Sequence, residues 1–268
     1  MRRPEWISLI AFSFFIITSS LRSITNQRRI AIAAIGAIGL LLIAAFQFAD
    51  QFLPLSGLAV ARDWLPAVLM PMVYWQAGWS SGKVNKSFQT SLQLLDCKLL
   101  SGWLPSLAKP NYRWVVACLE LAYLSCYVLV PMGLAVLYIN RLQHHSTDYW
   151  SVVLLATYPC YAFTAFFPTQ PPRLLEINSA NTTIGKMRRF NLWIVRRVST
   201  QMNTFPSAHV TATLSSSLVL LHFVPSTGLV FVLVSIGIAL GAVLGRYHYA
   251  ADVVLAAAFT VTVYAVEL

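Results

Sequence analysis

Long apolar runs separated by short polar connections make up most of this chain. A membrane-crossing helix needs about 20 predominantly apolar residues, and the runs approach or reach that length. The first two runs form a hairpin whose turn carries Arg22, Arg28 and Arg29. The pattern predicts an all-α, polytopic membrane helix bundle with about eight spans, at residues 6–20, 30–47, 64–79, 114–139, 150–166, 206–223, 227–244 and 250–266.

Two longer polar segments interrupt this pattern. Within residues 80–112, Leu92, Leu95 and Leu99 recur at helical intervals. They predict an amphipathic helix at the membrane surface, which either covers the mouth of a site or only connects two spans. Residues 174–203 are rich in Lys and Arg, which serve either as topology determinants or as a funnel for an anionic substrate.

The composition is that of a multi-pass membrane protein. Of the 268 residues, 57% are hydrophobic and 10% are charged, and the mean hydropathy is +0.66. The net charge of +10 must lie in the connections, where Lys and Arg attract anionic lipid head groups. The sequence carries no nucleic-acid-binding motif, and its four cysteines show neither metal-ligand nor disulfide spacing. We therefore expect membrane lipids as partners, no nucleic acid and no metal.

A polar stretch at residues 245–252 lies at the mouth of the last predicted span. It contains His248 and Asp252, and one turn of helix places residues four apart on the same face. A carboxylate that holds one imidazole nitrogen leaves the other available as a nucleophile or base. The spacing therefore marks His248 and Asp252 as a candidate catalytic pair.

A second polar stretch, Pro-Ser-Ala-His at residues 206–209, lies at the mouth of the sixth span. Proline is tolerated in the first turn of a helix, and the unpaired amides there attract anions, so His209 is expected to face a bound phosphate. The alternative is that each histidine only hydrogen-bonds inside the bundle. Polar groups near hydrocarbon are costly unless they pair or line a wet cavity, and this favours a functional role.

An acidic residue also occurs inside a predicted span. Glu120 shares one stripe of the 114–139 helix with Tyr123 and Tyr127. An ionisable group at this depth needs a partner, so we expect Glu120 to meet the cavity, one of the basic groups or a structural hydrogen-bond donor.

These stretches resemble, in order, the three motifs of the type 2 phosphatidic acid phosphatase superfamily, whose members are membrane enzymes that act on phosphorylated lipids. The Pro-Pro-Arg of residues 171–173 is similar to the first motif, and residues 206–209 are similar to the second. The segment from His248 to Asp252 is similar to the end of the third. The resemblance extends over about residues 60–268.

Two cations of the family pattern are absent from this chain. The lysine expected seven residues before Arg173 is Phe166, and the Ser-Arg pair expected six to seven residues before His248 is Gly241-Ala242. Arg246 is a candidate substitute for the missing arginine. The Pro-Pro-Arg and His-Tyr-x-x-Asp forms are similar to a branch of lipid phosphotransferases related to inositol phosphorylceramide synthase.

The resemblance implies a six-helix catalytic domain at residues 60–268, preceded by an N-terminal transmembrane hairpin at residues 1–50. It implies an integral membrane phosphatase that hydrolyses a phosphorylated lipid, such as phosphatidic acid or a polyprenyl phosphate, through a phosphohistidine and without a cofactor. One alternative is a lipid phosphotransferase that moves a phospho-head group to a lipid or polyol hydroxyl. The other is a non-catalytic, lipid-binding membrane bundle.

The expected roles follow from this scheme. His248 attacks phosphorus, Asp252 orients His248, and His209 protonates the leaving oxygen. Three further residues are expected to bind the phosphate oxygens: Arg173, Ser207 and Arg246. Because imidazole and guanidinium groups supply the nucleophile, the acid and the charge, the scheme requires no metal.

The orientation of this site in the membrane is left open by two conflicting arguments. The predicted topology places 15 of the 19 Lys and Arg residues on the face that carries the site, and the positive-inside rule puts that face in the cytoplasm. The resemblance instead implies an extracytoplasmic or lumenal site. The oligomeric state and the identity of the lipid are likewise left open.

Overall fold

The computed structural model describes residues 1–52, 56–100, 113–175 and 185–268. It is 85% helical, and the described residues form no strand, so the predicted all-α membrane bundle is confirmed. The described helices are α1 (Arg3–Leu21), α2 (Asn26–Phe52), α3 (Ser56–Ser80), α4 (Lys86–Leu100), α5 (Arg113–Ile139), α6 (Ser146–Phe166), α7 (Pro172–Leu175), α8 (Lys186–Val198), α9 (Ala208–Phe223), α10 (Pro225–Leu244) and α11 (Ala250–Glu267).

Each of the eight predicted spans forms a helix. Five of these helices, α1, α2, α5, α10 and α11, are long and apolar enough to cross a membrane. The other three, α3, α6 and α9, are less apolar or shorter. Helix α9 has 16 residues and buries Ser215, Ser216 and Ser217 inside the bundle, which lowers its hydropathy without exposing polar groups to lipid. The chain is a multi-pass membrane protein.

Helix α9 lies at the centre of the bundle, where it packs against α5, α6, α10 and α11. Its connection to α10 is a tight turn, since α9 ends at Phe223 and α10 begins at Pro225. A Cβ atom added at Gly228 would lie 2.2 Å from the backbone nitrogen of Leu221. Only glycine permits this approach, and the two helices are antiparallel neighbours.

The N-terminal hairpin packs onto the rest of the bundle. Helix α1 contacts α2, α3 and α6, and its Phe12 and Phe15 belong to the same buried apolar cluster as Leu134 of α5. Where α1 begins, the buried Arg62 of α3 forms ion pairs with the carboxylates of Glu5 and Asp50. Apolar packing and buried charge therefore both attach the hairpin to the bundle.

Two amphipathic helices lie in the polar segments. The helix predicted within residues 80–112 is α4, while residues 101–112 lie outside the described part of the chain. Helix α8 forms within residues 174–203, for which the sequence predicted only a polar loop, and residues 176–184 lie outside the described part. Asn191 and Val195 of α8 are buried against the bundle.

Candidate active site

Backbone hydrogen bonds join the three motif segments at one end of the bundle. The amide of Asn203 donates to the Thr169 carbonyl (2.8 Å), and the amide of Ser207 donates to the Asp252 carbonyl (3.0 Å). The amide of Arg173 donates to the Arg246 carbonyl (2.9 Å). The segments are thus fixed to one another independently of their side chains.

His248 and Asp252 form the pair that their spacing predicted. His248 lies in the turn between α10 and α11, Asp252 lies in the first turn of α11, and Nδ1 of His248 is 3.3 Å from Oδ2 of Asp252. The same oxygen accepts hydrogen bonds from Nδ2 of Asn203 and from the backbone amide of Tyr249, both at 2.9 Å. The carboxylate therefore binds Nδ1 of His248 and leaves Nε2 for other contacts.

His209 faces His248 across the site. It lies at the start of α9, three residues after Pro206, which precedes the helix rather than entering its first turn. The centroids of the two imidazole rings are 5.7 Å apart. Aromatic rings of α5 contact His209 edge to face, with centroid distances of 5.6 Å for Tyr123 and 5.7 Å for Tyr127.

Arg173 brings a positive charge to the two histidines. Its guanidinium lies 5.5 Å from the ring centroid of Tyr247, and Nη1 is 3.5 Å from the Tyr247 carbonyl. Burial, and then the charge of Arg173, lower the pKa of His248. The imidazole is therefore neutral at pH 7 and keeps a lone pair for nucleophilic attack.

A cavity of about 200 Å³ opens between these groups, and Arg173, His209 and His248 all line it. Ser207 and Asp252 lie behind its wall, with Asp252 fully buried. The Ser207 hydroxyl is buried and has no hydrogen-bond partner within the described part of the chain. Five of the six predicted site residues are thus held at one place, three of them at the cavity surface.

Arg246, the sixth predicted residue, has a protein partner. Its Nη1 lies 2.5 Å from Oδ2 of Asp96 on α4. The other carboxylate oxygen of Asp96 accepts a hydrogen bond from the amide of Ala250 at the start of α11 (2.7 Å). Arg246 is not among the described residues that line the cavity, and its role in binding phosphate stays a prediction.

The two departures from the family motifs have structural explanations. A Cβ atom at Gly241 would lie 2.4 Å from the Leu119 carbonyl oxygen, so α10 packs against α5 where the motif expects serine. Ala242 is fully buried, and its carbonyl accepts hydrogen bonds from the amides of Tyr247 (2.8 Å) and His248 (2.9 Å). Gly241 therefore serves the packing of α10 on α5, and Ala242 anchors the turn that carries His248.

The intramembrane Glu120 meets a basic group, one of the alternatives expected from the sequence. Its carboxylate accepts hydrogen bonds from Nη1 of Arg188 (2.7 Å), Nδ2 of Asn191 (2.6 Å) and the hydroxyl of Tyr247 (2.7 Å). Glu120 therefore joins α8 to the residue that precedes His248.

Two polar residues of this region were missed by the sequence interpretation. Asn203 is buried and holds Asp252, and the equally buried Asp96 holds Arg246 and the start of α11. Asn203 lies in the connection between α8 and α9, where no helical periodicity applies. In the sequence, Asp96 looks like any other polar residue of an amphipathic helix. Neither residue carries a local signal of its role.

Comparisons with known proteins give one match. The family model described as the PAP2 superfamily matches residues 90–266. No curated protein matches the chain, and no solved structure matches it.

Proposed function

The chain belongs to the PAP2 superfamily, and from this we propose that it is an integral membrane phosphatase that hydrolyses a phosphorylated lipid through a phosphohistidine. Membership makes it a lipid enzyme of the phosphatase or phosphotransferase type. The specific reaction and the role of each residue are our proposal.

One observation carries the proposal: a neutral histidine held by a carboxylate faces a second histidine and an arginine in one cavity. Such a group of side chains has a nucleophile, an acid and a phosphate-binding charge within reach of one phosphorus atom. A lipid-binding protein needs only the charge. The carboxylate at Nδ1 of His248 serves no purpose in binding but is suited to orienting a nucleophile.

In the proposed first step, Nε2 of His248 attacks phosphorus while the bond from phosphorus to the lipid oxygen breaks. Asp252 accepts the hydrogen bond from Nδ1 and stabilises the positive charge that develops on the ring. His209 gives its proton to the leaving oxygen, so that the lipid departs as an alcohol. Arg173 binds the phosphate oxygens, and Ser207 and Arg246 are further predicted ligands that do not line the cavity in the described part of the chain.

In the second step, water attacks the phosphohistidine, His209 accepts a proton from that water, and inorganic phosphate leaves with His248 restored. A lipid or polyol hydroxyl in place of water would give a phosphotransferase with the same residues. The acceptor therefore decides between the two reactions.

The test is phosphate release by the purified protein in detergent, with phosphatidic acid and a polyprenyl diphosphate among the substrates. We expect release by the wild type and a loss of at least about a hundredfold in His248→Ala, since covalent and acid–base catalysis contribute about this much or more. His222→Ala is the matched control. That histidine lies at the opposite end of the bundle, beside Tyr264.

Four outcomes distinguish the candidate functions and test the role of His248. Phosphate release that depends on His248 supports the phosphatase. Transfer of a labelled head group to an added lipid or polyol, without phosphate release, identifies the phosphotransferase. Equal release by wild type and His248→Ala excludes His248 as the nucleophile, and no turnover in either assay favours the non-catalytic bundle.

A further inference from the structure

The cavity at the candidate active site extends along α3. Its wall follows α3 from Trp75 to Ala67, and eight residues of helix at 1.5 Å each span about 12 Å. Its volume of about 200 Å³ is small, since sites for drug-sized ligands hold roughly 300–1,000 Å³. A cavity of this length and volume has the shape of a slot.

The two ends of this slot differ in chemistry. The end near the catalytic turn carries Arg173, His209 and His248, and Arg173 is the only permanently charged side chain among the described residues that line it. The deep end is apolar and aromatic, with Ala67, Met70, Val130, Pro131 and Trp150. The lining contributed by the described residues includes no carboxylate and no carboxamide. Such a wall suits a hydrocarbon chain better than a ring of hydroxyl groups.

The slot reaches the protein surface between α3 and the end of α8. Trp75 and Val198 both line it, and 42% and 41% of their surfaces are exposed. The indole Nε1 of Trp75 donates a hydrogen bond to the Val198 carbonyl (3.1 Å), which joins the two sides of the mouth. We infer that a ligand enters here, at the level of Arg173 and the two histidines, and extends inward.

We propose that this slot selects a phosphate ester with one slim apolar chain. The phosphate lies against Arg173, and the chain lies along α3 toward Ala67. This inference rests on the proposed function and names its substrate class. A glycerol that carries two acyl chains would place a branched group where the slot has room for one chain.

Chain selection follows from burial of methylene groups. Each buried methylene contributes about 0.8 kcal/mol, or roughly a fourfold gain in binding in water, and detergent reduces this gain. The kcat/KM of a single-chain phosphate ester should therefore rise with the length of its chain until the chain reaches the deep end of the slot. Ala67 sets that limit in our proposal.

The first experiment compares kcat/KM for butyl phosphate, octyl phosphate and dioctanoyl phosphatidic acid at equal ratios to detergent. We expect octyl phosphate to exceed each of the other two by about tenfold or more. In Ala67→Leu the added carbons shorten the slot, so the ratio of kcat/KM for octyl phosphate to kcat/KM for butyl phosphate should fall to about one. Ala258→Leu, on the exposed face of α11, is the matched control and should retain the wild-type order.

A second experiment separates this inference from the proposed reaction. Butyl and octyl phosphonates, which are not hydrolysed, are titrated against the protein while thermal unfolding is followed. We expect octyl phosphonate to stabilise the wild type at about tenfold lower concentration than butyl phosphonate, and Ala67→Leu to lose this difference. This readout needs no turnover, so it holds even if the phosphatase assay fails.

Three results would contradict the proposal that the slot selects a phosphate ester with one apolar chain. They are equal kcat/KM for butyl and octyl phosphate, an equal or higher rate with dioctanoyl phosphatidic acid, and an unchanged chain preference in folded Ala67→Leu. Phosphonate titrations that show no chain dependence would contradict it independently of catalysis.

Discussion

Asp252 is fixed by three hydrogen-bond contacts at a single oxygen. Oδ2 faces Nδ1 of His248, Nδ2 of Asn203 and the amide of Tyr249, and the carboxylate is fully buried. A buried carboxylate is stable only when such donors replace its hydration. Asn203 therefore acts on His248 through Asp252, although it does not itself line the cavity in the described part of the chain.

We expect Asn203→Leu to lower kcat by about 10–100-fold with little change in KM. The substitution keeps the branching and the number of heavy atoms of the side chain but removes the donor, and a lost hydrogen bond to a buried group costs about 1–3 kcal/mol. Steady-state phosphate release measures the effect. Thr169→Val is the control, because it removes the second acceptor of Nδ2 (3.2 Å) and leaves Asp252 untouched. A wild-type kcat in folded Asn203→Leu would disprove the positioning role.

Asp96 of helix α4 contacts the turn that carries His248. Asp96 binds Arg246 and the amide of Ala250, which joins an amphipathic helix to the start of α11. A buried ion pair that loses one partner leaves an uncompensated charge, which costs about 3–5 kcal/mol. The position of the His248 turn therefore depends on a helix outside the motif segments.

We expect Asp96→Ala and Arg246→Ala each to lower stability, and the double variant to be no worse than the poorer single one. Thermal unfolding in detergent measures this coupling. The KM values distinguish the two roles of Arg246. A rise as large as that of Arg173→Ala would indicate the phosphate contact predicted from the sequence, whereas coupling to Asp96 alone indicates a role in the turn. Additive losses of stability would contradict the ion pair.

The close contact between α10 and α5 makes a separate prediction. Gly241→Ala should destabilise the protein by about 1–3 kcal/mol, because the added Cβ would lie 2.4 Å from the Leu119 carbonyl oxygen. Gly237→Ala is the matched control one turn earlier, where the Cβ would lie 3.2 Å from Cβ of Ala122. Denaturation midpoints of the two variants should therefore differ, and equal midpoints would refute the packing explanation for the missing motif serine.

The helices that the sequence predicted are those whose apolar face meets lipid or core. Helix α8 was not predicted, because its many basic residues make the segment polar overall, although Val195 is buried on its inner face beside Asn191, which binds Glu120. The motif resemblance predicted the grouping of Arg173, His209 and His248. Contacts between distant segments were not predictable, since Asn203 meets Asp252 across 49 residues and Asp96 meets Ala250 across 154. Local periodicity carries no information on such pairs.

The buried ion pairs of Arg62 and the two site histidines lie at opposite ends of the bundle. Arg62 lies near the beginning of α3, whereas Trp75 of the same helix lines the catalytic cavity, about 20 Å further along at 1.5 Å per residue. Arg62 is 5% exposed and binds Glu5 of α1 and Asp50 of α2. The cluster therefore joins the N-terminal hairpin to α3 at the end of the bundle away from the histidines.

We expect Arg62→Leu to lower the free energy of unfolding by about 3–5 kcal/mol, because it leaves the buried Glu5 carboxylate without its partner. Replacing both residues, Glu5→Leu with Arg62→Leu, should recover part of that loss, since no buried charge then remains unpaired and Asp50 is half-exposed.

Arg3→Leu is the control. Its partner is Glu267, and a pair with so exposed an arginine contributes about 0–1 kcal/mol. At temperatures where each variant is folded, kcat/KM should equal the wild-type value, because Arg173, His209 and His248 lie at the other end of the bundle. A fall in kcat/KM for folded Arg62→Leu would show that the hairpin helps to set the geometry of the active site.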